Sequence, residues 1–527
     1  MKNRRRACEE CHRLKIKCDV DTSLGGTCER CTGNGLECVP AAPRLQRDRI
    51  RDLEAEVQEL KNSLQDQNNG TTLDRTPEGM PESRHHDVLS FLDARISQHA
   101  QQNLLALFKQ QAEAVWPVVR LPVDLSQLRA KSPILLLCVL VYTFTREDQG
   151  TDIDVHDELV WETMHVLGEE VIGRGQRSLE LVKALLVSAF WNKSTRKGQQ
   201  ASCFQLVQLA SDIAIDLGIA GYSLQPSAAA YFSRHDDPMS TEARRTWLSC
   251  FVALSTSAIS MRRRIAIPWD DHHQTCLSYM ESSGDPSDIL LCQIVQITQL
   301  IQEISEHHCL CQLSTFVDGN DYRTHATIET LKNKVDAWAA KMPSDLVFCQ
   351  TLRVLRHVAM IHIYEVVLHT PTNKASFGAP FIPGRIAIRD FPKPVDIIPP
   401  LEKALHVLVQ QCHAVIDTVA EMDPALVLSL PTFSFAPTVL YALFVLVNAF
   451  VAATDPANTY GQCISTKSFR IEHCVLKLGG LTASLKALDP TTSCYTTHLF
   501  EATGWLEGWY NDYMAILKRY ETKLRYQ

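Results

Sequence analysis

The sequence predicts a mainly α protein in three parts: a small cysteine-organised module at the N-terminus, a short parallel coiled coil, and a large all-α domain. Three observations predict it. Six cysteines between Cys8 and Cys38 fall into two halves of identical spacing, and an apolar heptad follows them. Farther on, apolar residues recur at the helical period in long runs, while the alternation expected of strands is scarce. With 527 residues, 45% of them hydrophobic, the chain can bury a large core beyond the cysteine module.

The module reads Cys8-x2-Cys11-x6-Cys18, then nine residues, then Cys28-x2-Cys31-x6-Cys38, so the second half repeats the first at an offset of twenty. The chain opens on Lys2, Arg4, Arg5 and Arg6 without the apolar run of a secretory signal, so thiols this dense read as a metal site rather than as disulfides. Zinc is the expected metal, and it takes four ligands in a tetrahedron. His12 is the only nitrogen donor in the stretch, since His85 and His86 lie far downstream. Two zinc ions need about eight ligand positions, which the cysteines supply if two of them bridge both metals. The internal repeat points to Cys8 and Cys28 as that pair. The competing arrangement is one zinc on Cys8, Cys11, Cys28 and Cys31, which strands Cys18 and Cys38.

The halves match in cysteines but not in charge. His12, Arg13, Leu14, Lys15, Ile16 and Lys17 separate Cys11 from Cys18, whereas no basic residue lies between Cys31 and Cys38. Met1 to Cys18 carries seven Lys or Arg against Glu9 and Glu10, in a chain whose net charge is −8. Positive charge concentrated against the trend is the footprint of nucleic-acid binding.

The run Cys-x2-Cys-His-Arg-Leu-Lys-Ile-Lys-Cys-Asp, from Cys8 to Asp19, resembles the binuclear zinc cluster family of fungal transcription factors. The resemblance implies two zinc ions on Cys8, Cys11, Cys18, Cys28, Cys31 and Cys38. It also implies a short helix that enters the DNA major groove over a CGG-type triplet, with Lys15 reading base edges. Guanine O6 and N7 are acceptors, so a lysine donor suits them. Lys17 and Arg13 would contact phosphate, and His12 and Arg6 complete the candidate DNA-binding residues. The chain departs from the family in having His12 and Leu14 where many members carry Arg or Lys, and in lacking a proline between Asp19 and Thr27.

The expected organisation is a DNA-binding module over 1–45, a dimerisation element over 46–66, a flexible linker over 67–85 and the helical domain over 86–527. After Pro40 and Pro43, the residues Ile50, Leu53, Val57, Leu60 and Leu64 alternate spacings of three and four. β-Branched residues at a with leucine at d favour a parallel two-stranded coil, and Arg49 and Glu56 would face Glu54 and Lys61 of a second copy. An amphipathic helix packed on its own core is the other reading. Asn68-Asn69-Gly70, Pro77 and Pro81 mark the linker.

In the large domain Ser132 is expected as an N-cap with Pro133 at the first helical position, opening a buried helix over 134–142. Further helices are expected over 179–190, 203–217, 242–261, 289–304, 328–338, 352–368 and 401–419, and an irregular stretch over 372–400 with its six prolines. Ser132 to Leu136, Glu242-x-Arg244-Arg245-x-Trp247, and Trp338 before Pro343 resemble the middle homology domain of the same family. The uncharged run 424–454 raises a membrane helix, but Pro431 and Pro437 should break it and Asn448 would be costly in a bilayer. A core helix is the expectation, with no membrane partner.

Chemistry is sparse. Gly173-Arg174-Gly175 lacks the third glycine of a dinucleotide loop, and there is no Walker lysine, nucleophile elbow or HExxH. Asp270, Asp271, His272, His273 and Cys276, like His307, His308, Cys309 and Cys311, are each half of a metal site at most. Arg244, Arg245, Arg262, Arg263 and Arg264 read as helix-orienting ion pairs with Glu242, Asp270 or Asp271, or alternatively as an anion site. Between Phe500 and Leu517, acidic residues interleave with Trp505, Leu506, Trp509, Tyr510 and Tyr513, which fits a docked terminal helix or an activation segment. The expectation is a nuclear, non-enzymatic transcription regulator that binds double-stranded DNA at CGG-type half-sites as a homodimer and contacts transcription co-regulators. The alternative is a zinc-containing protein-interaction scaffold without sequence-specific DNA binding.

Overall fold

In the computed structural model the described residues are 7–19, 27–39, 85–144, 153–191, 203–221, 224–227, 234–386, 396–455, 458–490, 492 and 494–525. The chain divides into two compact units, Met1–Glu82 and Ser83–Gln527. Helices and turns account for the structure, with no β-strand among the described residues. The heptad residues Ile50, Leu53, Val57, Leu60 and Leu64 lie outside them, as does the expected linker up to residue 84.

The first unit holds two one-turn helices, Glu9–Arg13 and Glu29–Gly33, one per half of the cysteine repeat. Helices this short cannot stand by propensity alone. Each is fixed at its start by a cysteine and at its end by hydrogen bonds from the residues that follow, as detailed below.

The second unit is a succession of helices, each packed on the next in the series. Gln98–Phe108 packs on Pro133–Thr143, which packs on Leu179–Phe190, and this on Cys203–Asp216. Thr241–Ser260, Pro286–His307, Gln350–Tyr364, Pro399–Ala420 and Thr432–Thr454 continue the series. The last of these returns to contact Thr241–Ser260 and Leu179–Phe190, which closes the core. Pro133–Thr143 and Leu179–Phe190 are buried along their whole length, the first as its apolar sequence requires and the second with Glu180 and Lys183 satisfied by partners on other segments.

Three local expectations are corrected. Ser132 occupies the N-cap position without a side-chain cap bond. Glu180 Oε1 takes its place, accepting from Ile134 N at 2.7 Å and Leu135 N at 3.3 Å, so a carboxylate from a neighbouring helix satisfies the orphan amides. Pro437 does not break the apolar run; it lies inside Thr432–Thr454, where dense packing outweighs one lost helical bond. Its Pro437–Thr454 portion is long and apolar enough to cross a membrane, yet is 83% buried inside the fold. Asn448 there donates from Nδ2 to Phe444 O at 2.8 Å, within its own helix. Finally, Pro399 and Pro400 belong to the helix Pro399–Ala420 rather than to the irregular stretch before it, because proline fits the first helical turn.

Candidate metal centre and nucleic-acid interface

The two halves of the cysteine repeat fold alike, bond for bond. Ile16 N donates to Cys11 O at 3.1 Å and Leu36 N to Cys31 O at 2.9 Å. Cys8 N donates to Cys18 Sγ, and Cys28 N to Cys38 Sγ, both at 3.3 Å. The halves also close on each other: Glu9 N donates to Val39 O at 2.9 Å and Glu29 N to Asp19 O at 3.3 Å. The sequence offset of twenty is thus a twofold relation in space.

That relation gathers the sulfurs. Cys8, Cys11, Cys18 and Cys28 form one group, and Cys8, Cys28, Cys31 and Cys38 a second, with the sulfurs in each group within 4.8 Å of one another. Cys8 and Cys28 belong to both. Their Sγ atoms lie 3.8 Å apart, with Cys8–Cys31 at 3.7 Å and Cys11–Cys28 at 3.8 Å. These are no disulfides. A tetrahedron of sulfurs around zinc, with bonds of about 2.3 Å, has edges of about 3.8 Å, so the donor set fits two zinc ions sharing an edge. The backbone N–H of Cys31 outweighs burial at Cys28 and pulls its thiol down to about 6. The backbone N–H of Cys11 likewise lowers Cys8. Both shared sulfurs are therefore biased toward the thiolate that a metal requires.

The symmetric backbone carries an asymmetric surface. Lys15 has a left-handed φ of +52°, and its counterpart twenty residues on is Gly35, with φ of +65°. Glycine accepts that conformation freely, whereas a side chain strains in it. Lys15 is exposed, as is Lys17, whose Nζ lies 3.0 Å from Asp19 Oδ2. Leu14 and Ile16 are exposed beside them. His12 and Arg13 lie on the Glu9–Arg13 helix, but their side chains, like all of Arg6, are outside the described residues.

The other sequence candidates resolve into scaffold. Asp270 and His273 form a capping box at the start of Asp271–Glu281, and His272 Nε2 lies 3.0 Å from Ile219 O. Arg245 pairs with Asp288 and Arg262 with Glu365, rather than with Glu242, Asp270 or Asp271; Glu242 instead pairs with Lys183. Arg244 and Arg263 lie over the rings of Tyr279 and Phe204. Phe500, Leu506 and Tyr513 are buried, which makes the Trp505–Arg525 helix a docked element. Sequence reasoning named Arg262 and His308 only separately and missed that they lie in one buried group with His362, Glu365, His369 and Lys374, to which four segments far apart in sequence contribute.

The family model of the fungal Zn(2)-Cys(6) binuclear cluster domain matches residues 6–48, and that of the WAR1 C-terminal domain matches residues 48–354. Transcription factor pbcR of Emericella nidulans is 24% identical over 395 residues, covering 64% of this chain and 52% of that protein. Transcription factor opdL of Penicillium oxalicum is 24% identical over 407 residues, covering 71% of this chain and 69% of that protein. The chain therefore spans about half the length of the first of these relatives. No solved structure matches it. The chain belongs to the fungal binuclear zinc cluster family of transcription factors, with a two-zinc domain at its N-terminus followed by a WAR1-type helical domain.

Proposed function

We propose that this chain is a nuclear, sequence-specific DNA-binding regulator of transcription that reads CGG-type triplets through the first half of its zinc cluster. Cys8 and Cys28 bridge the two metals, Cys11 and Cys18 complete one site, and Cys31 and Cys38 complete the other. The observation that carries the reading is the pair Lys15 and Gly35: one backbone, one left-handed conformation, glycine in the loop without basic residues and lysine in the loop where positive charge is concentrated. Strain held at a single exposed residue is expected where the side chain has a task. The task supported here is donation to guanine O6 and N7. Lys17, Arg13, His12 and Arg6 supply phosphate contacts, which position the module without specifying sequence.

Two copies act together through the heptad from Ile50 to Leu64. The names of the two relatives, both transcription factors, agree with the regulatory role. The test is a gel shift of the full chain on a duplex with CGG triplets and on the same duplex scrambled. The expected preference for CGG is at least about tenfold at fixed salt. Equal binding to both duplexes would leave the interaction scaffold as the better account.

A further inference from the structure

A second candidate site lies in the helical unit, where Thr241–Ser260, Gln350–Tyr364 and Thr432–Thr454 approach the loop at Phe377 and Phe381. Its centre is Arg262, which is 5% exposed and has a left-handed φ of +53°. The guanidinium is held rigidly on one side. Nε donates to Phe377 O at 3.0 Å, and Nη2 donates to both Glu365 Oε1 and Tyr441 OH at 2.6 Å. Gly378 allows this closeness, since a Cβ there would stand 2.8 Å from Arg262 Cγ. On the other side Nη1 is buried with no hydrogen-bond partner among the described residues.

Arg262 lines a narrow slot with about 490 Å³ of empty space counted out to its mouth, of which only about 40 Å³ admits the centre of a water molecule. So little enclosed room suits a small ligand rather than a bulky one. Its walls are mainly Ile259, Ile301, Leu355, Val358, Phe381 and Pro437. The hydroxyls of Thr256, Ser260 and Thr438 donate to carbonyls of their own helices, at Val252, Thr256 and Phe435. A water in the slot would thus find few of the partners that hold buried water in place. His362 also lines the slot, with Nδ1 3.5 Å from Glu365 Oε2; an apolar slot with so few unspent polar groups, Arg262 Nη1 foremost, is the composition of a small-molecule site.

The charge of the arginine is already matched by Glu365, which is fully buried and held as a carboxylate: Arg262, with His362 and His369, outweighs burial and brings it down to about 2. A second carboxylate on the same guanidinium would face that charge across a low-dielectric interior. The free Nη1 donors call for a neutral acceptor. We propose that this slot binds a largely apolar, uncharged small molecule whose carbonyl oxygen accepts from Arg262 Nη1, which gives the regulator an effector site within its helical unit.

The probe is acetophenone, titrated calorimetrically into the full chain, with benzoate as its charged counterpart. Acetophenone is expected to bind, and Arg262→Lys and Ser260→Leu are each expected to weaken it by at least about tenfold. The first variant keeps a cation for Glu365 but removes Nη1; the second fills the slot without touching the ion pair. Benzoate should bind at least about tenfold more weakly than acetophenone. Unchanged affinity in Ser260→Leu, no saturable binding of acetophenone at millimolar concentration, or tighter binding of benzoate would each overturn the proposal. If circular dichroism shows Arg262→Lys to be unfolded, Ser260→Leu decides. None of these readings depends on DNA binding, so they stand or fall apart from the function proposed above.

Discussion

Lys15 sits where Gly35 sits in the other half of the repeat, and holding a side chain there costs about 1 kcal/mol. The charge of Lys15 and its place between cysteines were readable in the sequence; its φ was not, because backbone strain leaves no trace in residue type unless a symmetric partner exposes it. His308 is the opposite case. It looked like half of a metal site beside His307 and Cys309, but it is 1% exposed, and neither ring nitrogen has a hydrogen-bond partner among the described residues. Burial pushes it from 6.5 down to about 4, ahead of the opposing pull of Glu365. A histidine whose folded value is depressed contributes stability that is full above 6.5 and is lost as pH falls through that window toward 4. All eight tryptophans lie beyond residue 83, so tryptophan fluorescence reports the helical unit alone. Melting followed in this way should show the midpoint falling from pH 6.5 to 4 in the wild type, and a flatter dependence in His308→Leu. Parallel curves would refute the assignment.

At the scale of elements, helical period located the core helices closely: the expected 179–190 and 203–217 are observed as Leu179–Phe190 and Cys203–Asp216. Ends were harder to place. The amides expected to be capped by Ser132 are satisfied by Glu180, a long-range partner that local sequence does not announce. The segment Phe500–Leu517 was ambiguous for a physical reason, since aromatics at helical spacing serve a core or a partner groove equally well. Here Phe450 packs against Tyr510 and Tyr513, and Thr454 and Tyr513 exchange a hydrogen bond at 2.8 Å. Deleting residues 498–527 removes Phe500, Leu506 and Tyr513 from the core, at about 1.5–3 kcal/mol for each large apolar side chain. The truncated chain should be recovered aggregated or at much reduced abundance. A soluble truncation with unchanged melting would show the helix to be dispensable.

At the scale of the whole molecule, a metal scaffold built from two like halves concentrates basic residues in the first half, and a large helical unit follows it in sequence. The module was legible from its cysteines because metal ligation dictates residue type and spacing together. The slot at Arg262 was not, since helices far apart in sequence build it. The proposed dimer predicts that replacing Leu53 and Leu60 together by Ala weakens binding to paired triplets far more than to a single triplet, because two linked half-sites gain effective concentration. Equal losses on both duplexes would indicate a monomeric binder. The most direct test of the central claim is the affinity ratio for CGG over scrambled DNA in Lys15→Gly, measured on protein verified to hold two zinc ions. Glycine relieves the strained backbone, as it does at position 35, so the cluster should load fully and melt no lower than the wild type. The account predicts that the ratio nevertheless falls toward one, a loss of about 1–3 kcal/mol of discrimination. A fully loaded Lys15→Gly protein that keeps the wild-type ratio would contradict it.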